Sequence, residues 1–133
     1  MNYSDCIGIG RGLISCGLYN EAISNFTEAI KLHPDTIAPY CCRGFSYYKK
    51  GIFEMALCDF NKAIELKSGI ADLYYLRGIV YTKVCNYTKA LEDFWKALEL
   101  NPDLWKARIN IKFTLEKKIL ILKNERLRYF QMP

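Results

Sequence analysis

The sequence predicts an all-α solenoid: three helix pairs followed by one long C-terminal helix. Three observations predict it. The same residue types return every 34 positions through residues 3–102, apolar residues inside each unit fall at helical spacing, and no Gly or Pro interrupts residues 104–130. A period of this length marks a repeat whose units bury their apolar faces only by stacking on one another.

Five columns carry the period: Gly10, Gly44 and Gly78; Ala22, Ala56 and Ala90; Phe26, Phe60 and Phe94; Ala29, Ala63 and Ala97; Leu32, Leu66 and Leu100. Ala22, Ile23, Phe26, Ala29 and Ile30 stand at the i, i+3, i+4, i+7, i+8 positions of an amphipathic helix. Ala56 to Ile64 and Ala90 to Leu98 repeat that pattern, and a second helical stretch precedes each, as at residues 40–49 and 74–83. Gly17, Gly51 and Cys85-Asn86 sit at the turn inside each unit. His33-Pro34, Lys67-Ser68-Gly69 and Asn101-Pro102 close the units, because proline does not continue a helix. The expected divisions are residues 3–36, 37–70 and 71–102 for the repeats and 103–131 for the C-terminal helix, with Asp103 as its N-cap.

Gly10, Gly44 and Gly78 fall inside helices, where each costs about 1 kcal/mol relative to Ala. A cost repeated in one column implies a repeated compensation. The expected one is close approach of two helix backbones, with the Ala columns facing it and the Phe column filling the gap between neighbouring units.

The composition bounds the function. With 51% hydrophobic and 25% charged residues, the 133-residue chain has the make-up of one folded domain. The run Ile119-Leu120-Ile121-Leu122 is far short of the ~20 residues of a membrane span. Six cysteines without C-x-x-C spacing read as free thiols of a reducing, cytoplasmic compartment, with no secretory signal in view of Asp5 and the early glycines. The sequons at Asn2, Asn25 and Asn86 then read as accidental. One histidine, His33, leaves no catalytic triad. Gly8, Gly10 and Gly12 lack the preceding strand that a phosphate loop needs. No enzyme, cofactor or metal site is expected.

The columns Gly44, Tyr47, Ala56, Phe60 and Ala63, then Gly78, Tyr81, Ala90, Phe94, Ala97 and Pro102, and in the first unit Gly10, Leu13, Ala22, Phe26, Ala29 and Pro34, resemble the tetratricopeptide repeat family. Two columns depart from the family: its Trp is Cys6, Tyr40 and Tyr74, and its Leu before the glycine is Ile9, Arg43 and Arg77. The resemblance implies antiparallel helix pairs in a right-handed superhelix whose first helices line a concave groove for peptides or proteins. In that register the groove holds Ile7 and Arg11; Cys41, Cys42, Phe45, Tyr48 and Lys49; Tyr75, Leu76, Ile79 and Lys83; and Lys106, Asn110 and Phe113. The chain enters its first repeat at residue 3, which reads as part of a longer array.

One specialisation of the family, a Lys/Asn/Asn/Lys/Arg clamp for the acidic tails of heat-shock chaperones, is disfavoured. Its columns hold Ile7, Arg11, Cys42, Asp72 and Leu76, or one repeat later Cys41, Phe45, Leu76, Lys106 and Asn110. The expected function is therefore that of an adaptor or scaffold binding a peptide or partner protein in the groove.

Charge frames the alternative. Residues 1–103 carry 11 Lys/Arg against 12 Asp/Glu, whereas residues 104–133 carry 8 against 2. A basic C-terminal helix offers a second route, to nucleic acid or another acidic surface, which the near-neutral body disfavours. Leu115, Ile119, Leu120, Ile121, Leu122 and Leu127 lie beyond the reach of a single capping position. Weak self-association through residues 114–130, promoted by salt, would bury them.

Overall fold

A computed structural model describes residues 2–133. Seven helices follow one another: α1 (Tyr3–Ser15), α2 (Tyr19–Leu32), α3 (Ile37–Lys49), α4 (Phe53–Leu66), α5 (Ala71–Lys83), α6 (Tyr87–Leu100) and α7 (Trp105–Gln131). No strand occurs among the described residues. Each helix packs on the next in sequence, and α1 also meets α3, α3 meets α5 and α5 meets α7, so the first helices of successive pairs line one side of the stack.

The punctuation works as its chemistry requires. The turn between α1 and α2 and that between α3 and α4 place Gly17 at φ 74° and Gly51 at φ 76°. Both angles lie in the left-handed region that glycine enters without a Cβ penalty. The third such turn puts Cys85 there, at φ 61°. Asn2 caps α1 by accepting the Asp5 N–H at 2.8 Å. Asp103 does not cap α7. The helix begins at Trp105 with Leu104 as its N-cap residue and no side-chain cap. The Asp103 carbonyl instead accepts the Trp105 N–H at 2.8 Å.

The core is built from the repeated columns. Ala22, Phe26, Ala29, Ala56, Ala63, Ala90, Phe94 and Ala97 are fully buried, and Phe60 nearly so. The glycine column meets aromatic rings rather than backbone. A Cβ on Gly10 would stand 2.6 Å from Phe26 Cζ, and one on Gly44 3.1 Å from both Asp59 Cβ and Phe60 Cε1. Phe26, Phe60 and Phe94 therefore fill notches inside their own helix pairs, and the buried clusters that hold Phe60 and Phe94 also take in Val80 and Ile111 of the next unit. A ring buries far more apolar area than a backbone crossing, which explains why it takes the space the missing Cβ leaves.

The two arginines that depart from the family pattern hold helices together. Arg43 on α3 donates from Nε to Asp59 Oδ2 at 2.8 Å and from Nη2 to Asp59 Oδ1 at 2.7 Å. Its third nitrogen reaches back to Thr27 Oγ1 on α2 at 3.2 Å. One repeat later Arg77 grips Asp93 at 2.8 and 2.7 Å and reaches Asn61 Oδ1 on α4 at 2.9 Å. Each guanidinium thus ties its own pair to the preceding one through a planar bidentate fork. The bond to the aspartate raises the pKa of Arg43 and of Arg77, while burial raises that of each aspartate against its arginine's pull. The same columns hold Ile9 and Asn25 in the first repeat, which forms no such fork.

Candidate functional site

Helical spacing sets the site. Cys41, Phe45 and Tyr48 stand four and three residues apart on α3, so they share one face. Asp72, Tyr75, Leu76, Ile79 and Lys83 do the same on α5, and Lys106, Asn110 and Phe113 on α7. Where these faces converge, a cavity of about 480 Å³ opens, lined by Ile14, Cys41, Cys42, Phe45, Asp72, Tyr75, Leu76, Leu104, Trp105 and Lys106.

Of the residues the sequence points to, Cys41, Cys42, Phe45, Tyr75, Leu76 and Lys106 meet in this cavity. Tyr48, Ile79, Lys83, Asn110 and Phe113 line an adjoining depression together with Thr82, Thr114 and Lys117. Lys49 borders a smaller hollow with Tyr48 and Lys83. Ile7 and Arg11 line a separate hollow with Tyr3, Ser4, Gly8 and Ala38, from which Arg11 reaches the Cys42 thiol. Ile7 belongs largely to the interior, packed with Cys6, Ala22, Phe26 and Ala29.

Ile14, Leu104 and Trp105 also line the cavity without having been singled out in the sequence. Ile14 stands one period before Tyr48, which was the available signal. Trp105 stands one period after Ala71, a small residue that hides the column's access to the groove. Trp105 is 62% exposed, a large ring held at the mouth of an apolar hollow.

The lining is electrically quiet. Burial pushes the Cys41 thiol up to about 11, with Cys42 and Asp72 adding and Arg11 opposing. Burial raises Cys42 too, against a hydrogen bond and the charge of Arg11. Both are neutral thiols at physiological pH and behave as small apolar groups. Burial also raises the Tyr75 hydroxyl, whose oxygen accepts from Asn110 Nδ2 at 3.3 Å. The Tyr75 ring is steadied from behind by Phe94, with centroids 5.9 Å apart. Phe45 lies 6.3 Å from the Tyr48 ring and beneath Lys49 Nζ at 5.5 Å. The floor is thus aromatic and aliphatic, and the rim is basic, with Lys49, Lys83, Lys106 and Lys117 against Asp72. Such a surface seats apolar side chains in the hollow and leaves lysines free to meet acidic groups at the edge.

Among the described residues there is no group of three or more His, Cys, Asp or Glu able to hold a metal ion, and no helix is long and apolar enough to cross a membrane.

Comparison with known proteins agrees with the repeat architecture. Residues 71–104 match a family model described as tetratricopeptide repeat, and residues 10–51 one described as TPR repeat. Among solved structures, the Arabidopsis OM64 TPR domain is similar at 26% identity and a TM-score of 0.84, over 86% of this chain and 95% of that one. MamA is similar at 26% identity and a TM-score of 0.85, over 98% of this chain and 75% of that one. The first TPR of Spaghetti (RPAP3), solved bound to the HSP90 peptide SRMEEVD, shares the fold at 22% identity and a TM-score of 0.85, over 88% of this chain and 93% of that one. No curated protein matches.

Proposed function

This chain belongs to the tetratricopeptide repeat family, and from that premise we propose that it is a non-catalytic adaptor binding a peptide or partner-protein segment in its concave groove. The observation that carries the reading is the apolar cavity of about 480 Å³ among α3, α5 and α7, lined by Cys41, Cys42, Phe45, Tyr75, Leu76 and Trp105 and edged by Lys106. A lining of neutral thiols and aromatic rings favours an apolar side chain as anchor. With Ile7, Cys42, Asp72 and Leu76 in four of the five columns of a carboxylate clamp, or Cys41, Phe45 and Leu76 in three of them one repeat later, neither register rebuilds the full cage of donors for an acidic chain terminus. Ligand contacts extend along Tyr48, Ile79, Lys83 and Asn110, and Arg11 and Lys49 extend the basic rim. Six free cysteines support a reducing, intracellular setting.

The test is affinity capture with the whole chain against Phe45→Ala/Tyr75→Ala, read by mass spectrometry. Aromatic anchors in concave sites carry on the order of 2 kcal/mol or more each. The double variant loses the captured partner while its helical circular dichroism is retained. Unchanged recovery removes the groove as the interface. A salt titration separates this reading from binding of an acidic surface by the basic α7, since phosphate contacts weaken steeply with salt and apolar contacts do not.

A further inference from the structure

α7 stands where the first helix of a pair would, packed on α6 of the preceding pair, and among the described residues no second helix of its own pair packs on it. Leu13, Tyr47 and Tyr81 stand in one column, and each packs against a buried cluster that includes second-helix residues of its own pair: Ala22 and Phe26, Ala56 and Phe60, and Ala90 and Phe94. One period later the column holds Leu115, which is 40% exposed. Beyond Thr114 nothing covers α7. Ile119 is 49% exposed, Leu122 55%, Tyr129 75% and Phe130 71%.

These residues form a seam. Leu115, Ile119, Leu122, Arg126 and Tyr129 alternate spacings of four and three, the heptad signature of helix-on-helix pairing. Arg126 is the polar member, and its guanidinium lies over the Phe130 ring at 5.7 Å. With Ile119 and Arg126 as a and Leu115, Leu122 and Tyr129 as d, the flanking e positions hold Ile109, Glu116, Lys123 and Phe130. Among the g positions are Lys118 and Glu125.

The charges decide what fits this seam. We propose that the helix completing the pair is α7 of a second copy, packed antiparallel, with Ile119 of each chain opposite Leu122 of the other. In that register e faces e and g faces g across the two-fold axis. Glu116 then meets Lys123 of the second copy, and Lys118 meets Glu125 of the second copy. The axis generates each pair twice, so four opposite-charge contacts flank the core. The same register sets Leu115 against the Arg126 stem of the second copy, Ile109 against its Phe130, and Lys112 over its Tyr129 ring.

No neighbouring register does this. A slip of one heptad in one direction sets Glu116 against Glu116 and Lys118 against Lys118. A slip in the other sets Lys123 against Lys123 and Glu125 against Glu125. A parallel pair sets Lys118 against Lys123 on both sides. Opposite charges at e and g select partner and orientation in helix pairs, and here they select one arrangement. The seam from Lys112 to Tyr129 is about 26 Å long at 1.5 Å per residue, and its two ends are identical by symmetry, as a closed two-fold contact requires.

The whole chain, in reducing buffer near physiological salt and at a protein concentration on the order of 0.1 mM, tests this by sedimentation equilibrium. The expected mass rises with concentration to that of a dimer and no further. Leu122→Asp abolishes the rise. Lys123→Glu places a second carboxylate opposite Glu116 and weakens the dimer about tenfold or more, as does Glu116→Lys, whereas Glu116→Lys/Lys123→Glu returns it to near the original constant. A parallel pair would instead be tightened by Lys123→Glu alone, and that result overturns the antiparallel register. A strict monomer across the concentration range, or self-association indifferent to all four variants, overturns the proposal outright.

Discussion

The Phe94 ring lies in the notch left by Gly78. A Cβ built on that glycine would stand 2.7 Å from the ring's Cε1 and 2.9 Å from its Cδ1, closer than real Cβ contacts come. Phe94 is fully buried, so the ring has no open space to swing into. Gly78→Ala is expected to destabilise the fold by about 1–3 kcal/mol through overpacking, despite alanine's better helix propensity. Gly12→Ala is the control, because a Cβ there meets nothing within 4 Å. That change should stabilise α1 by up to about 1 kcal/mol. Urea melts of the two variants check the pair, and equal shifts would refute the notch.

How far the sequence revealed this packing depends on the column. The helices, their turns and their register were legible, because Gly, Ala and Phe return at one spacing and amphipathic periodicity is local. The partner of each glycine was not, since a column says that a compensation repeats but not which atom supplies it. The Arg43–Asp59 and Arg77–Asp93 pairs were missed for a related reason: the partners are 16 residues apart across a helix turn. The available signal was that both arginines and both aspartates are absent together from the first repeat, at Ile9 and Asn25. That Cys41, Phe45, Tyr75 and Leu76 line one cavity followed from spacing within α3 and α5. Its closure by Trp105 did not, because earlier repeats hold Ile37 and Ala71 in that column.

The second prediction concerns the buried ion pair. Asp93 is 4% exposed and depends on Arg77 for its two short contacts. Arg77→Leu strands that carboxylate and is expected to cost about 3 kcal/mol. Arg77→Leu/Asp93→Leu removes both charges and should recover most of the loss, since an apolar pair of similar size needs no desolvation. Chemical denaturation of the two single variants and the double measures the coupling. Strictly additive losses would mean that the pair does not act as a unit.

Cys85 occupies the left-handed position that Gly17 and Gly51 fill in the other repeats, at φ 61°. A side chain there carries a conformational penalty that glycine avoids. Cys85→Gly should raise stability by about 0.5–1 kcal/mol, and Cys85→Ala, which keeps the Cβ, should not. Thermal melts distinguish them. If glycine proves no better than alanine, the turn is not strained at this residue.

The last prediction follows from Cys41. Burial lifts its thiol from the ordinary 9.0 to about 11. The folded state therefore favours the neutral form. The sign is fixed by linkage: the group's contribution to stability is complete below about pH 9 and is lost as pH rises toward about 11. The thiolate is the reactive species, so at pH 8 native Cys41 should alkylate far more slowly than the exposed Cys16 and Cys58. Its rate should keep climbing up to about pH 11, and Cys41→Ala should remove part of the alkaline destabilisation. Peptide mapping after timed iodoacetamide exposure reads each site separately. Labelling of Cys41 as fast as Cys58 at pH 8 would show that the groove floor is open to water, and the apolar anchor assigned to it would have no dry pocket to enter.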